Sequence, residues 1–112
     1  MKRKLVLRPV AGNEIAAAAS EYSLRDARRG QQFLSEIQES LRFIEENARA
    51  CAIRSNGMRR PNLINFPRAL IYLVVEDFDA EWNETVEKLV VLGCIHHRQD
   101  DAPLTKRLDP QS

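Results

Sequence analysis

The chain has 112 residues and a mass of 12.8 kDa, which is the size of one domain and too short for a cofactor domain plus a substrate domain. Its 17 Lys and Arg balance 16 Asp and Glu, for a net charge of +1, which argues against a strongly basic nucleic-acid coat or an acidic tail. With 44% hydrophobic and 29% charged residues, the composition is that of an ordinary globular protein, not a disordered one. No apolar run approaches the ~18 residues of a membrane span. MKRKLVLRPV has no long apolar core and no small-residue cleavage site, so no secretory signal is expected. Cys51 and Cys94 form neither a disulfide framework nor a metal knuckle. A cytosolic protein is expected.

Residues 3–8 (RKLVLR) read as a short strand ended by Pro9. Gly12 and Asn13 offer an N-cap, with Glu14 in the first turn, where the helix dipole favours an anion. Ile15, Ala18, Ala19 and Tyr22 then fall on one helical face. Gly30 is expected to break the pattern. A second helix follows from about Gln31 to Asn47, with the stripe Phe33, Ile37, Leu41, Ile44, Ala48 opposite Glu36, Glu39, Arg42 and Glu46. The two helices should form a hairpin. Asn56-Gly57 is a turn signal. Arg59 and Arg60 precede Pro61, so a strand there must be an edge or interrupted one. Residues 69–75 (ALIYLVV) and 89–92 (LVVL) are continuously apolar, as in strands covered on both faces. The polar EDFDAEWNETVEK between them reads as a connection, and residues 99–112 as an irregular tail.

The expected fold is therefore α+β: one domain with an N-terminal strand and a helical hairpin packed on a small antiparallel sheet. The helices cover one face of that sheet. The other face is expected to stay apolar and partly open, as in a small domain that has a partner.

Arg59, Arg60 and Arg68 lie near two strands expected to pair, and His96, His97 and Arg98 end the last strand. These six residues can gather at one end of the sheet. Arginine donates bidentately to phosphate or carboxylate, and histidine can move a proton near pH 7. Arginine with histidine on a sheet can cleave RNA through the 2′-hydroxyl. The plainer alternative is a set of solvated strand ends. Asp77, Asp79, Glu81 and Asn83 carry the first spacings of a calcium loop, but Trp82 stands where glycine is needed and Lys88 where a closing glutamate is needed. No metal is expected there. Cys94, in an apolar strand, reads as a small buried hydrophobe, and Tyr72 as core with a satisfied hydroxyl. No glycine-rich phosphate loop, GxSxG or HExxH is present, and no cofactor is expected.

EIAAAASEYSLRDARRGQQFLSEIQESLRFI, with Tyr22, Gly30, Phe33 and Leu34 in place, resembles the helical hairpin of the RelE/ParE toxin superfamily. GMRRPNLINFPRALIYLVVED is similar to the family's central hairpin, and VVLGCIHHRQDDAPLTKRL to its last strand and ending. The resemblance runs from about Val6 to Leu108. It implies two helices on an antiparallel sheet and a toxin held inactive by a cognate antitoxin that wraps its groove. The RelE branch cuts mRNA on the ribosome, whereas the ParE branch binds DNA gyrase and is not a nuclease. The nuclease branch places an arginine three residues before the tyrosine of the central strand. Here that position is Ala69, before Tyr72, and no tyrosine follows Tyr72. The resemblance thus implies a ParE-like gyrase inhibitor with no catalytic residue. Arg59, Arg60, Arg68, His96, His97 and Arg98 are then the surface that meets target or antitoxin, with no direct nucleic-acid binding. The alternative is a RelE-like ribosome-dependent endoribonuclease, with Arg59 or Arg60 on phosphate and His96 or His97 moving the proton. A third possibility is a silent member that only binds its antitoxin.

Overall fold

The structure, a computed structural model, describes residues 1–108; the last part of the expected tail, 109–112, lies outside the described residues. The chain runs as β1 (Arg3–Leu7), α1 (Pro9–Arg25), α2 (Ala27–Glu46), β2 (Arg68–Asp79) and β3 (Glu84–His96). A short 3-10 turn, Ser55–Gly57, precedes β2, and a 3-10 segment, Ala102–Leu108, follows β3. The architecture is α+β, with a helical hairpin packed on a small sheet.

Pro9 starts α1 rather than only ending the strand. It occupies the first helical turn, where its missing N–H costs nothing, and the helix begins before Gly12. The break between helices falls at Asp26, not at Gly30. The Asp26 N–H closes α1 on the Tyr22 carbonyl at 3.1 Å, while its carboxylate accepts the Arg28 N–H at 2.9 Å and caps α2. Gly30 lies inside α2 and is buried against α1. A Cβ there would fall 1.8 Å from Ser23 Oγ and 3.0 Å from the Ala19 carbonyl oxygen. The glycine therefore sets how closely the two helices approach.

The sheet order is β1-β3-β2. β2 and β3 form an antiparallel hairpin, and β1 joins β3 in parallel, with Leu5 opposite Leu89 and Leu7 opposite Val91. The sheet is thus mixed. Beyond β2 lies an irregular edge. Arg59 and Tyr72 exchange backbone hydrogen bonds of 2.9 Å each, and Leu70 N donates to the Pro61 carbonyl at 3.0 Å. Pro61 cannot donate in return, which is why this edge stays interrupted.

The acidic stretch expected to be a connection is mostly strand. β2 continues to Asp79 and β3 starts at Glu84, leaving a turn of 80–83 with Asn83 at φ 54°. Cationic partners make a charged strand tolerable. Lys4 Nζ reaches Asp79 at 2.8 Å and Glu81 at 2.9 Å, and Lys88 Nζ reaches Asp77 at 3.1 Å. Glu87 is held by Arg3 and Arg49, at 2.9 and 2.7 Å. These residues act as a ladder of cross-strand pairs.

Two cores flank the sheet. Phe33, Ile37, Ile44, Leu70, Tyr72, Leu89 and Val91 fill the layer between helices and sheet. Met58, Ile71, Val90, Leu92, Ile95 and Leu104 form a second core on the opposite face. This corrects the expectation of an open apolar flank. The tail, expected to be irregular, winds into the 3-10 segment and seats Leu104, 1% exposed, over that face. The cover is partial. Val6, Leu73 and Val75 lie on the same face by register, the first two half-buried and Val75 exposed. Beside them Lys4 Nζ sits 5.2 Å from the centre of the exposed Trp82 ring. Among the described residues, no helix is long and apolar enough to cross a membrane.

Candidate functional site

The edge strand, β2 and β3 all pass one corner of the sheet, but the six candidate residues do not all point to it. Arg59 is 7% exposed and lies on the helix side. Its Nη1 donates to the carbonyls of Cys51 and, at 3.3 Å, Arg49. Next to it the Tyr72 hydroxyl donates to the Ala48 carbonyl at 2.7 Å. The two side chains tie the chain leaving α2 to the sheet. Burial pushes the Tyr72 phenol well above its usual range, so it stays a donor.

The other five converge. Arg60 is paired with Asp101, with a side chain only 5% exposed. Its Nη2 donates to the His97 carbonyl at 2.9 Å and the His96 carbonyl at 3.4 Å. Arg68 stands opposite His96 in the ladder. It leans onto α1, where Nε donates to the Tyr22 hydroxyl at 3.2 Å and Nη2 lies 3.5 Å from Glu21. His96 and His97 are exposed and stack with ring centres 4.7 Å apart. Arg98 is exposed beyond them. Arg54, Arg60, Asn62, His97, Arg98 and Asp101 line a polar cavity of about 280 Å³.

The two imidazoles differ in protonation chemistry. His97 Nδ1 lies 3.0 Å from the Pro67 carbonyl. A carbonyl only accepts, so Nδ1 carries the proton and Nε2 is the acceptor of the neutral ring. His96 Nδ1 instead accepts the Arg98 N–H at 3.2 Å, so its neutral ring is protonated at Nε2. Desolvation, followed by the positive charges of His97, Arg98 and Arg68, lowers the His96 pKa from its ordinary value. It is a neutral, stackable ring at pH 7. Neither ring is hydrogen-bonded to a carboxylate that would orient it as a general base, among the described residues. Asp101 is held below the usual carboxylate range by Arg54 and, after the opposing cost of burial, by Arg60.

Other chemical candidates are structurally engaged. Asp77, Asp79 and Glu81 face Lys4 and Lys88 rather than one another. Among the described residues, no group of three or more His, Cys, Asp or Glu could hold a metal ion. Burial pushes the Cys94 thiol up to about 11, which keeps it un-ionised and unreactive.

The sequence did not point to Asp101 or Arg107, and it read Glu14 only as a first-turn anion, whereas α1 already begins at Pro9 and its first turn holds no acid. Asp101 organises the corner by binding Arg54 and Arg60. Glu14 pairs with Arg107 at 2.6 Å and accepts the Cys94 N–H at 3.2 Å. These partners lie 41 to 93 residues apart in the chain, beyond the reach of any local pattern. The one sequence signal was opposite charge: acids at 100–101 and cations at 106–107 in a segment otherwise read as tail. A second, larger groove of about 750 Å³ lies along α2, lined by Arg28, Arg29, Gln32, Glu36, Ile64 and Phe66 among others. No known family model matches the chain, and no curated protein matches it significantly.

Proposed function

We propose that this protein is the toxin of a two-component toxin–antitoxin module, a cytoplasmic protein that arrests growth by binding DNA gyrase and is neutralised by a cognate antitoxin. The observation that carries the reading is the architecture: a strand, then a tight helical hairpin, packed on one face of a sheet whose β2–β3 hairpin starts within the FPRALIY segment, at Arg68. That is the arrangement the RelE/ParE resemblance implies. The partly uncovered row of Val6, Leu73, Val75 and Trp82 is one surface for a protein partner. The exposed corner of His96, His97 and Arg98 is another.

Four observations favour binding over RNA cleavage. Ala69, where the nuclease branch carries an arginine, is 0% exposed. Arg68 is turned onto Tyr22 and Glu21. His97 commits Nδ1 to a backbone carbonyl, and no described carboxylate orients either imidazole. Arg59 and Arg60, the phosphate holders of the nuclease alternative, spend their described donors on protein carbonyls and on Asp101.

The deciding experiment adds purified protein to a gyrase supercoiling reaction and, in parallel, to translating ribosomes with end-labelled mRNA. Inhibited supercoiling with intact mRNA is the expected outcome. Full gyrase activity at micromolar protein together with new mRNA cuts would replace this reading with the endoribonuclease. No effect in either assay, with normal growth on expression, would leave only antitoxin binding.

A further inference from the structure

We infer that the C-terminal 3-10 segment, Ala102–Leu108, is a releasable strap: it opens as a unit while helices and sheet stay folded, and so uncovers the second face of the sheet. This goes beyond the proposed activity and holds whichever target the protein has.

Four features carry the inference. First, no strap residue belongs to the core between helices and sheet. Leu104 belongs to the second core, and Leu108 only packs against it partly buried. Losing the strap leaves Phe33, Ile37, Tyr72 and Leu89 packed as they are.

Second, the segment has little holding it. Seven residues in 3-10 geometry exceed the three or four usual for this weakly bonded helix. Among the described side chains of the segment, Leu104 is the fully buried one. Asp101, on Arg54 and Arg60, latches the start, and Arg107, on Glu14 and the Leu92 carbonyl, latches the end. Arg54, Arg107 and Glu14 keep appreciable contact with solvent, so water competes for the Arg54 and Arg107 contacts, and the buried Arg60–Asp101 pair is the firmer hold at the segment's start.

Third, Glu14 and Arg60 each keep another partner when the strap opens, while the Leu92 carbonyl loses its Arg107 donor. β1 covers β3 only as far as Val91. Beyond that, Glu14 caps the Cys94 N–H and can keep doing so after Arg107 departs. Arg60 likewise retains the His96 and His97 carbonyls. Opening therefore orphans few buried polar groups, the main cost of local unfolding.

Fourth, the exposed surface becomes continuous. Ile71, Leu92 and Ile95 are fully buried under the strap, and Leu73 and Val75, already half open, extend the same face of β2. The open state converts a short apolar row into a broad patch of the kind that engages partners.

Native-state hydrogen exchange on the full chain, in a series of low urea concentrations, tests this. The Leu104 amide, bonded to the Asp101 carbonyl at 2.9 Å, should exchange roughly 100-fold faster than those of Tyr72 and Leu89, with little urea dependence, as for sub-global opening. Arg107→Ala should speed Leu104 exchange by a further factor of about 10, the effect of losing one latch, and leave Tyr72 unchanged. The same variant should bind an apolar dye while its far-ultraviolet dichroism stays native. Equal rates and equal urea dependence for Leu104 and Tyr72, in wild type and variant alike, would overturn the inference. So would fast Leu104 exchange in a variant that binds no dye, since the strap would then fray without uncovering the face.

Discussion

Single residues decide where the helical hairpin turns and how tightly it closes. Glycine is a strong helix breaker, so Gly30 reads as the turn, yet its missing side chain serves the close approach of Ala19 and Ser23. Asp26 makes the turn by closing one helix with its N–H and opening the next with its carboxylate. Gly30→Val forces a branched side chain into a gap already filled at 1.8 and 3.0 Å. Overpacking of this kind costs about 1–3 kcal/mol, and a lowered urea midpoint at unchanged m-value should show it. Tyr72→Phe leaves the Ala48 carbonyl without its 2.7 Å partner. The expected loss is about 1 kcal/mol, read by the same titration, with the fold intact because ring packing is kept.

At the level of elements, legibility followed locality. The α2 stripe repeats at helical spacing, and Phe33, Ile37 and Ile44 are buried as the pattern requires. The two apolar runs are strands for the same reason. The acidic hairpin was illegible because much of its charge is balanced by distant cations, among them Lys4, more than seventy residues away in the chain. The strap was illegible because Leu104 and Arg107 are held by residues scattered over β3, the edge segment and α1. The corner shows the same division. The spacing of Arg60, Arg68 and His96–Arg98 placed them together, whereas the inward turn of Arg59 depends on where the chain leaves α2. Ion pairs also make these elements acid-sensitive. Hydrogen bonds from Lys4, Arg49 and Arg54 are the largest causes that hold Asp79, Glu87 and Asp101 below the ordinary carboxylate range. A depressed folded pKa adds stability that is complete above the unfolded value, near about 4, and is lost as pH falls through the folded one. The urea midpoint should therefore drop as pH is lowered from 5 towards about 2. It should drop less in Glu87→Gln, which has already lost one of the three contributions; an identical pH dependence in that variant would show that Glu87 has no part in it.

Across the whole molecule, the two faces of the sheet are covered by unequal means: a pair of long helices on one side, a few C-terminal residues and Met58 on the other. The second arrangement is the weaker, and it lies beside the exposed corner of His96, His97 and Arg98. The parallel pairing of β1 has its own consequence. Arg3–Leu7 finds its neighbour at Glu87–Val91, so during synthesis β1 waits for the much later β3. Until then the helices have no complete sheet to close against, and a nascent chain halted before residue 87 leaves β1 without its strand partner. A chain shortened ahead of β3 therefore lacks the strand that joins β1 to β2, so the sheet is assembled only once that stretch has been made.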